Sequence, residues 1–246
     1  MLAIIGGSGF DSSAVLQEPR EMLETTRFGE PSAPLLVGLL GATRVIVLAR
    51  HGRPHRIPPH RINYRANILA LRQAGVRRVV AVASVGGIAA GLGAGAVIVP
   101  DQIIDYTHSR DHTFCDDGSD PLRHIDFTQP FDTDLRERLI DAAHRLGISA
   151  RSGGTYAATQ GPRLETAAEI RRLQRDGADM VGMTGMPEAA LAREAGLAYA
   201  MLAVVANDAA GIGESAERVS LDAAHTAFAA AMQQVVRIVQ HLAEDL

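Results

Sequence analysis

The sequence predicts an α/β fold, built in layers with helices packed on a mostly buried sheet. Apolar runs of strand length recur along the chain, and helical periodicity fills several of the gaps between them. Hydrophobic residues make up 47% of the 246 residues, aromatics only 4%, and Trp is absent. A core of that composition is Ala, Val, Leu and Ile, which suits a sheet covered by helices on both faces. No linker, internal repeat or low-complexity tract divides the chain, so residues 1–246 are expected to form a single domain.

In chain order, strands are expected at 2–5, 45–49, 79–83, 96–99, 180–182 and 199–205, each a short apolar run. Helices are expected at 63–74, 134–146, 166–175, 187–195 and 221–244. Pro187 and Glu188 suit the first turn of the fourth, where a missing N–H and a negative charge are both favourable. The last carries Phe228, Met232, Val235, Val236 and Val239 at helical spacing. The segment 105–131 is the exception: polar, weakly periodic, with three His and many Asp. A connection that long is expected to act as a lid or an interface.

Composition also excludes. The formal net charge is -4, from 24 basic and 28 acidic residues, so neither nucleic acid nor a membrane surface is an expected partner. Cys115 is the one cysteine, which excludes an intrachain disulfide and suggests a reducing, cytoplasmic setting. The apolar start at residues 1–5 is short and has no basic flank, unlike a signal peptide. No apolar stretch reaches 18 residues without a charge or turn signal.

Ligands of open α/β sheets collect at the carboxyl ends of strands, so the residues that follow each strand are the ones to read. After the first strand comes Gly6-Gly7-Ser8-Gly9, which can face an anion with backbone N–H groups and a hydroxyl, or serve only as a tight turn. It is not the G-x-G-x-x-G dinucleotide fingerprint. After the second comes Arg50-His51-Gly52-Arg53-Pro54-His55-Arg56, a cationic cluster suited to an anion such as phosphate. A solvated basic turn or a zinc site at His51, His55 and His60 are the other readings, and no Cys or carboxylate nearby completes a usual zinc set. Ser84 follows the third strand. Thr184, ahead of Pro187, stands near a helix N-terminus, a natural anion position. Met183 offers a soft apolar surface for a sugar face or for the core.

Glu165 and Asn207 point to the ligand's other end. A carboxylate accepts hydrogen bonds and a carboxamide both accepts and donates, a pair that suits a 6-oxopurine with its N–H beside a C=O. Taken alone, Glu165 also fits a solvated first-turn helix residue and Asn207 a turn after a strand.

Taken together, these motifs resemble the trimeric purine nucleoside phosphorylase and methylthioadenosine phosphorylase family. The likeness runs from Ile4-Ile5-Gly6-Gly7-Ser8-Gly9 to at least Asp222. It is most specific at Ala49-Arg50-His51-Gly52-Arg53-Pro54-His55, Asn63-Tyr64-Arg65-Ala66-Asn67, Gly161-Pro162-Arg163 and Met183-Thr184-Gly185-Met186-Pro187-Glu188. The resemblance implies one three-layer domain with a mixed, largely parallel sheet, a homotrimer, no metal, no organic cofactor, and inorganic phosphate as co-substrate. It implies phosphate binding by Ser8, Arg50, His51 and Thr184; the family's Thr is Ala83 here, and the adjacent Ser84 is the candidate replacement. Met183 would pack on the ribose, Leu164 stands where the family stacks an aromatic on the base, and His124 would reach a neighbouring subunit's 5′ pocket. Leu221 and Ala224 resemble apolar residues that receive a methylthio group, with His225 beside them.

Family members that cleave 6-aminopurines typically carry Asp at the positions of Asn207 and Ala209 and a small residue at that of Glu165; those that cleave 6-oxopurines carry the Glu and the Asn. The implied reaction is phosphorolysis of a 6-oxopurine nucleoside, 5′-methylthioinosine foremost, to hypoxanthine and 5-methylthioribose 1-phosphate. A methylthioadenosine phosphorylase, a general inosine and guanosine phosphorylase, and a non-catalytic nucleotide-binding module are the alternatives. On this reading Arg50→Ala should cut base release and leave the fold intact.

Overall fold

Residues 2–6 set the pattern of the interior. All five are buried, with Ala3 and Ile5 in one hydrophobic cluster and Leu2 and Ile4 in another. Successive side chains of a strand point to opposite faces, so a continuous apolar run marks a strand covered on both sides. The structure, a computed structural model, describes residues 1–10, 15–115, 118, 121–220 and 225–246, with the backbone alone at 225.

In chain order the described residues form β1 (Leu2–Gly6), β2 (Gln17–Met22), β3 (Leu35–Leu40), β4 (Thr43–Ala49), α1 (Tyr64–Gln73), β5 (Arg78–Gly87), β6 (Val97–Val99), β7 (Gln102–Asp105), α2 (Thr133–Arg145), β8 (Ala150–Ser152), β9 (Thr155–Ala158), α3 (Ala167–Arg175), β10 (Met180–Gly182), α4 (Gly185–Glu194), β11 (Ala198–Asp208) and α5 (His225–Glu244). One face of the sheet carries α1 and α4 through Ile68, Leu71, Leu191 and Ala192. The other carries α2 and α5 through Leu135, Leu139, Val235 and Ile238. These are the three layers of a mixed, largely parallel α/β fold. No described helix is long and apolar enough to cross a membrane.

The sheet runs β2-β3-β4-β1-β5 and divides at β5, whose whole length pairs with β11 while its last residues pair with β10. Parallel β1 and β4 end level, Gly6 opposite Ala49, so the chain after each arrives side by side. Parallel β9 and β10 also end level, Ala158 opposite Gly182. Level ends place the following loops around one cleft.

All six expected strands and five expected helices are present: 180–182 keeps its bounds, most other ends shift by a few residues, and residues 221–224 at the start of the last expected helix lie outside the described residues. Helix ends follow their caps: Asn63 Oδ1 accepts from the Ala66 N–H, Asp132 from Leu135, and Thr166 forms a reciprocal capping box with Glu169. β5 continues to Gly87, so Ser84 lies within a strand and not after one. β11 continues to Asp208, so Asn207 is a strand residue and not a turn. Of the strands without a sequence expectation, β2 has five exposed residues of six, while β8 and β9 are only three and four residues long.

Candidate active site

The carboxyl ends of β1, β4, β10 and β11 and the last half of β5 surround one cavity of about 180 Å³. Ser8, Arg50, His51, Ser84 and Thr184 line it, as do Leu164, Glu165, Met183, Asn207 and Ala209. Ten sequence candidates thus meet in one place. His124 does not join them: it is exposed, in the irregular stretch before α2. Leu221 and Ala224 lie outside the described residues.

At the Ser8 end the interior is crowded. A Cβ on Gly7 would stand 2.7 Å from Arg50 Nη1 and 2.8 Å from the Val82 carbonyl, so only glycine fits between the turn and the arginine. Arg50 itself is fully buried, and most of its donors are committed to the interior. Nε and Nη2 donate to the two oxygens of Glu188 at 2.6 and 2.8 Å, Nη1 to the Val82 carbonyl at 3.0 Å, and Nη2 to the Ile5 carbonyl at 3.5 Å. The phosphate contact expected of Arg50 is therefore narrowed: its fork clasps the Glu188 carboxylate, and one Nη1 donor remains. The expectation that Arg50→Ala spares the fold is corrected with it, because the substitution strands a buried carboxylate. Burial works against the guanidinium charge, and Glu188 more than offsets it, holding Arg50 above its ordinary value. Glu188, read from sequence as a helix-dipole acid, is 0% exposed and also accepts from the Tyr199 hydroxyl at 2.8 Å.

His51 is corrected in a similar sense. Its Nδ1 lies 2.8 Å from the Ile57 carbonyl, and a carbonyl only accepts, so Nδ1 carries the proton. Burial and neighbouring Arg50 lower the pKa to about 4, which leaves the ring neutral at pH 7 and Nε2 an acceptor. The ring stacks on His55 with centroids 4.3 Å apart. Arg53 faces outward to Glu21 at 3.3 Å. Charge at this end is thus largely compensated, and the polar groups facing the cavity include the Ser8, Ser84 and Thr184 hydroxyls. Thr184 precedes α4, but no bare helix terminus waits there: the N–H groups of Thr184 and Gly185 donate to the Tyr156 hydroxyl at 3.2 and 3.4 Å. Regular helical geometry resumes only after Met186, at the expected Pro187. Among the described residues, no group of three or more His, Cys, Asp or Glu could hold a metal ion.

At the other end, Glu165 is half-buried and Oε1 accepts from the Thr159 hydroxyl at 2.6 Å. Asn207 sits at a register shift of β11 against β5, between Val205 and Asn207. A bulge of that kind re-aims a side chain without ending the strand. Its Nδ2 donates to the Asp208 carbonyl at 2.6 Å, leaving Oδ1 and one N–H. Asp208 Oδ2 is turned away to the Glu214 N–H at 2.9 Å. Ala209 is 3% exposed and packs beside Gly86. Sequence reasoning overlooked Thr159, Tyr156 and Tyr199; Thr159 alone had a signal, as a hydroxyl just ahead of Gly161-Pro162-Arg163 and Glu165.

The chain matches the phosphorylase superfamily over residues 1–244. It is 52% identical to a probable S-methyl-5′-thioinosine phosphorylase of Xanthomonas campestris pv. campestris over 88% of this chain and 86% of that one. It is 47% identical to the 6-oxopurine nucleoside phosphorylase of Pyrococcus furiosus over 86% of this chain and 80% of the other. Among solved structures it resembles methylthioadenosine phosphorylase from Schistosoma mansoni in complex with adenine, with a TM-score of 0.91 and 33% identity over 99% of this chain and 90% of that one.

Proposed function

The chain belongs to the phosphorylase superfamily, and from that premise we propose that it cleaves the N-glycosidic bond of a 6-oxopurine nucleoside with phosphate, 5′-methylthioinosine foremost. The products are hypoxanthine and 5-methylthioribose 1-phosphate. The observation that carries the base assignment is that Glu165 and Asn207 line the same cavity as Ser8, His51 and Thr184. Phosphate as co-substrate, absence of a cofactor, a cytoplasmic homotrimer, and His124, Leu221 and Ala224 at the 5′ group belong to the same proposal.

Phosphate sits among the Ser8, Ser84 and Thr184 hydroxyls, with the remaining Arg50 Nη1 donor toward it. A hydrogenphosphate dianion keeps one P–OH, the donor that an unprotonated His51 Nε2 requires. That contact turns the proton-free oxygens toward the sugar. One of them attacks the anomeric carbon as the bond to N9 breaks, and the phosphate charge stabilises the cationic sugar. Met183 packs on the ribose and Leu164 on the base. The purine leaves with the bonding electron pair. Asn207 donates its remaining N–H to O6, and its Oδ1 accepts from N7 as that nitrogen takes up a proton from solvent, balanced by the P–OH proton that the new phosphate ester releases. Glu165 accepts from N1–H, and these contacts strengthen as electron density reaches the base, which raises turnover. Adenine puts a bare N1 acceptor against the Glu165 carboxylate, which favours the oxopurine reading over the aminopurine one.

The test is base release from methylthioinosine with and without phosphate, with phosphorus NMR of the product. Hypoxanthine and a pentose 1-phosphate in equal amounts, only when phosphate is present, support the reading. Phosphate-independent release, or binding with no release, contradicts it.

A further inference from the structure

Arg110 lies in the long polar segment between β7 and α2, and the proposed reaction assigns it nothing. It is 8% exposed. Its guanidinium reaches six acceptors, none of them a carboxylate. Nη1 donates to the Met183 carbonyl at 2.8 Å, the Met186 carbonyl at 2.6 Å and the Tyr64 hydroxyl at 3.3 Å. Nη2 donates to the Thr159 and Gln160 carbonyls at 3.1 and 2.8 Å, and Nε to Gln160 Oε1 at 3.2 Å.

The position explains the pattern. β9 and β10 are parallel and end level at Ala158 and Gly182, and beyond that point their chains separate. One leads to Glu165, the other to Met183 and Thr184. Separating chains lose their ladder partners, and buried carbonyls without partners are costly. Arg110 fills the gap and donates to both sides. A planar fork with five donors can tie two backbones at once; an ammonium cannot reproduce that geometry. Thr159, held through its carbonyl, in turn holds Glu165 through its hydroxyl at 2.6 Å.

We infer that Arg110 is a positioning residue that sets the distance between the Glu165 loop and the Met183–Thr184 loop, and thereby the base selectivity of the site. The inference rests on the proposed 6-oxopurine phosphorolysis. It makes the segment 105–131 a part of the site's frame from within the same chain.

Arg110→Met and Arg110→Lys test it, assayed below their melting temperatures and judged folded by circular dichroism. Arg110→Met is expected to raise nucleoside KM at least tenfold and to lower the methylthioinosine to methylthioadenosine ratio of kcat/KM at least tenfold. Arg110→Lys, which keeps charge and length without the fork, is expected to recover only part of that ratio. A folded Arg110→Met with the wild-type KM and ratio overturns the inference, as does a loss confined to kcat. If only Arg110→Lys folds, an unchanged ratio there overturns it; if neither folds, the role is structural and the assignment is withdrawn. Wild-type protein is read first: if it releases no base with phosphate, the proposed reaction fails, a result separate from any behaviour of the variants.

Discussion

The two ends of the cavity are built in opposite ways. Behind Ser8, the side chains of Arg50, Glu188 and Tyr199 form a network at 0–2% exposure, continuous with the core of the sheet. At the other end Glu165 and Asn207 are half-buried, and each is held by one short hydrogen bond. The difference separates what a substitution can change. At the Arg50 end, site geometry and fold stability are one property. At the Glu165 end, recognition can change while the fold stays as it is.

The largest expected effect breaks or upholds that contrast directly. Arg50→Ala leaves Glu188 without its cation in the interior and should cost about 3–5 kcal/mol of stability, lowering Tm by on the order of 10 °C. Ser8→Ala, on an exposed turn, should leave Tm unchanged and raise phosphate KM about tenfold, the worth of one hydrogen bond to an anion. Calorimetry and phosphate titration of both variants measure this. An Arg50→Ala protein that melts with the wild type removes the contrast.

At the other end, Glu165→Gln should reduce kcat/KM for methylthioinosine about 10–100-fold with Tm unchanged, because a neutral amide replaces a charged acceptor. The amide can donate to adenine N1, so activity on methylthioadenosine should rise relative to methylthioinosine. Asn207→Asp should move the ratio in the same direction but less far, since the second Asp typical of aminopurine enzymes is Ala209 here. Steady-state kinetics on both nucleosides decides it. A Tm loss comparable to that of Arg50→Ala would show that both ends are equally tied to the core.

A smaller effect concerns His51. Its folded pKa, about 4, lies below its ordinary 6.5, so between those values the unfolded chain binds more protons. Stability contributed by this group is therefore present above pH 6.5 and lost as pH falls toward 4. In urea melts across that window, His51→Asn should show a shallower pH slope than the wild type. Parallel slopes would contradict the neutral ring and with it the P–OH contact.

Much of this was legible in the sequence, for a physical reason. Strands buried on both faces are continuous apolar runs, and the residues after them are few, so Ser8, Arg50, His51 and Thr184 could be found by position. Their charge state could not. The partner of Arg50 is Glu188, 138 residues away, and nothing local distinguishes that carboxylate from a solvated first-turn acid. The neutrality of His51 depends on a backbone carbonyl, which no side-chain pattern encodes. Strand β2 was invisible because its exposed residues carry no alternation, and Arg110 because its partners are mostly carbonyls from distant segments.

On the proposed reading, Glu165 and Asn207 make the cavity select a 6-oxopurine. That selection is tested most directly by kcat/KM of the unmodified protein for methylthioinosine and methylthioadenosine at saturating phosphate. A site that leaves paired groups unsatisfied by the wrong base can discriminate by up to about 10⁴–10⁵-fold, and a preference for methylthioinosine of at least about 100-fold is expected. Equal release of adenine and hypoxanthine would contradict it.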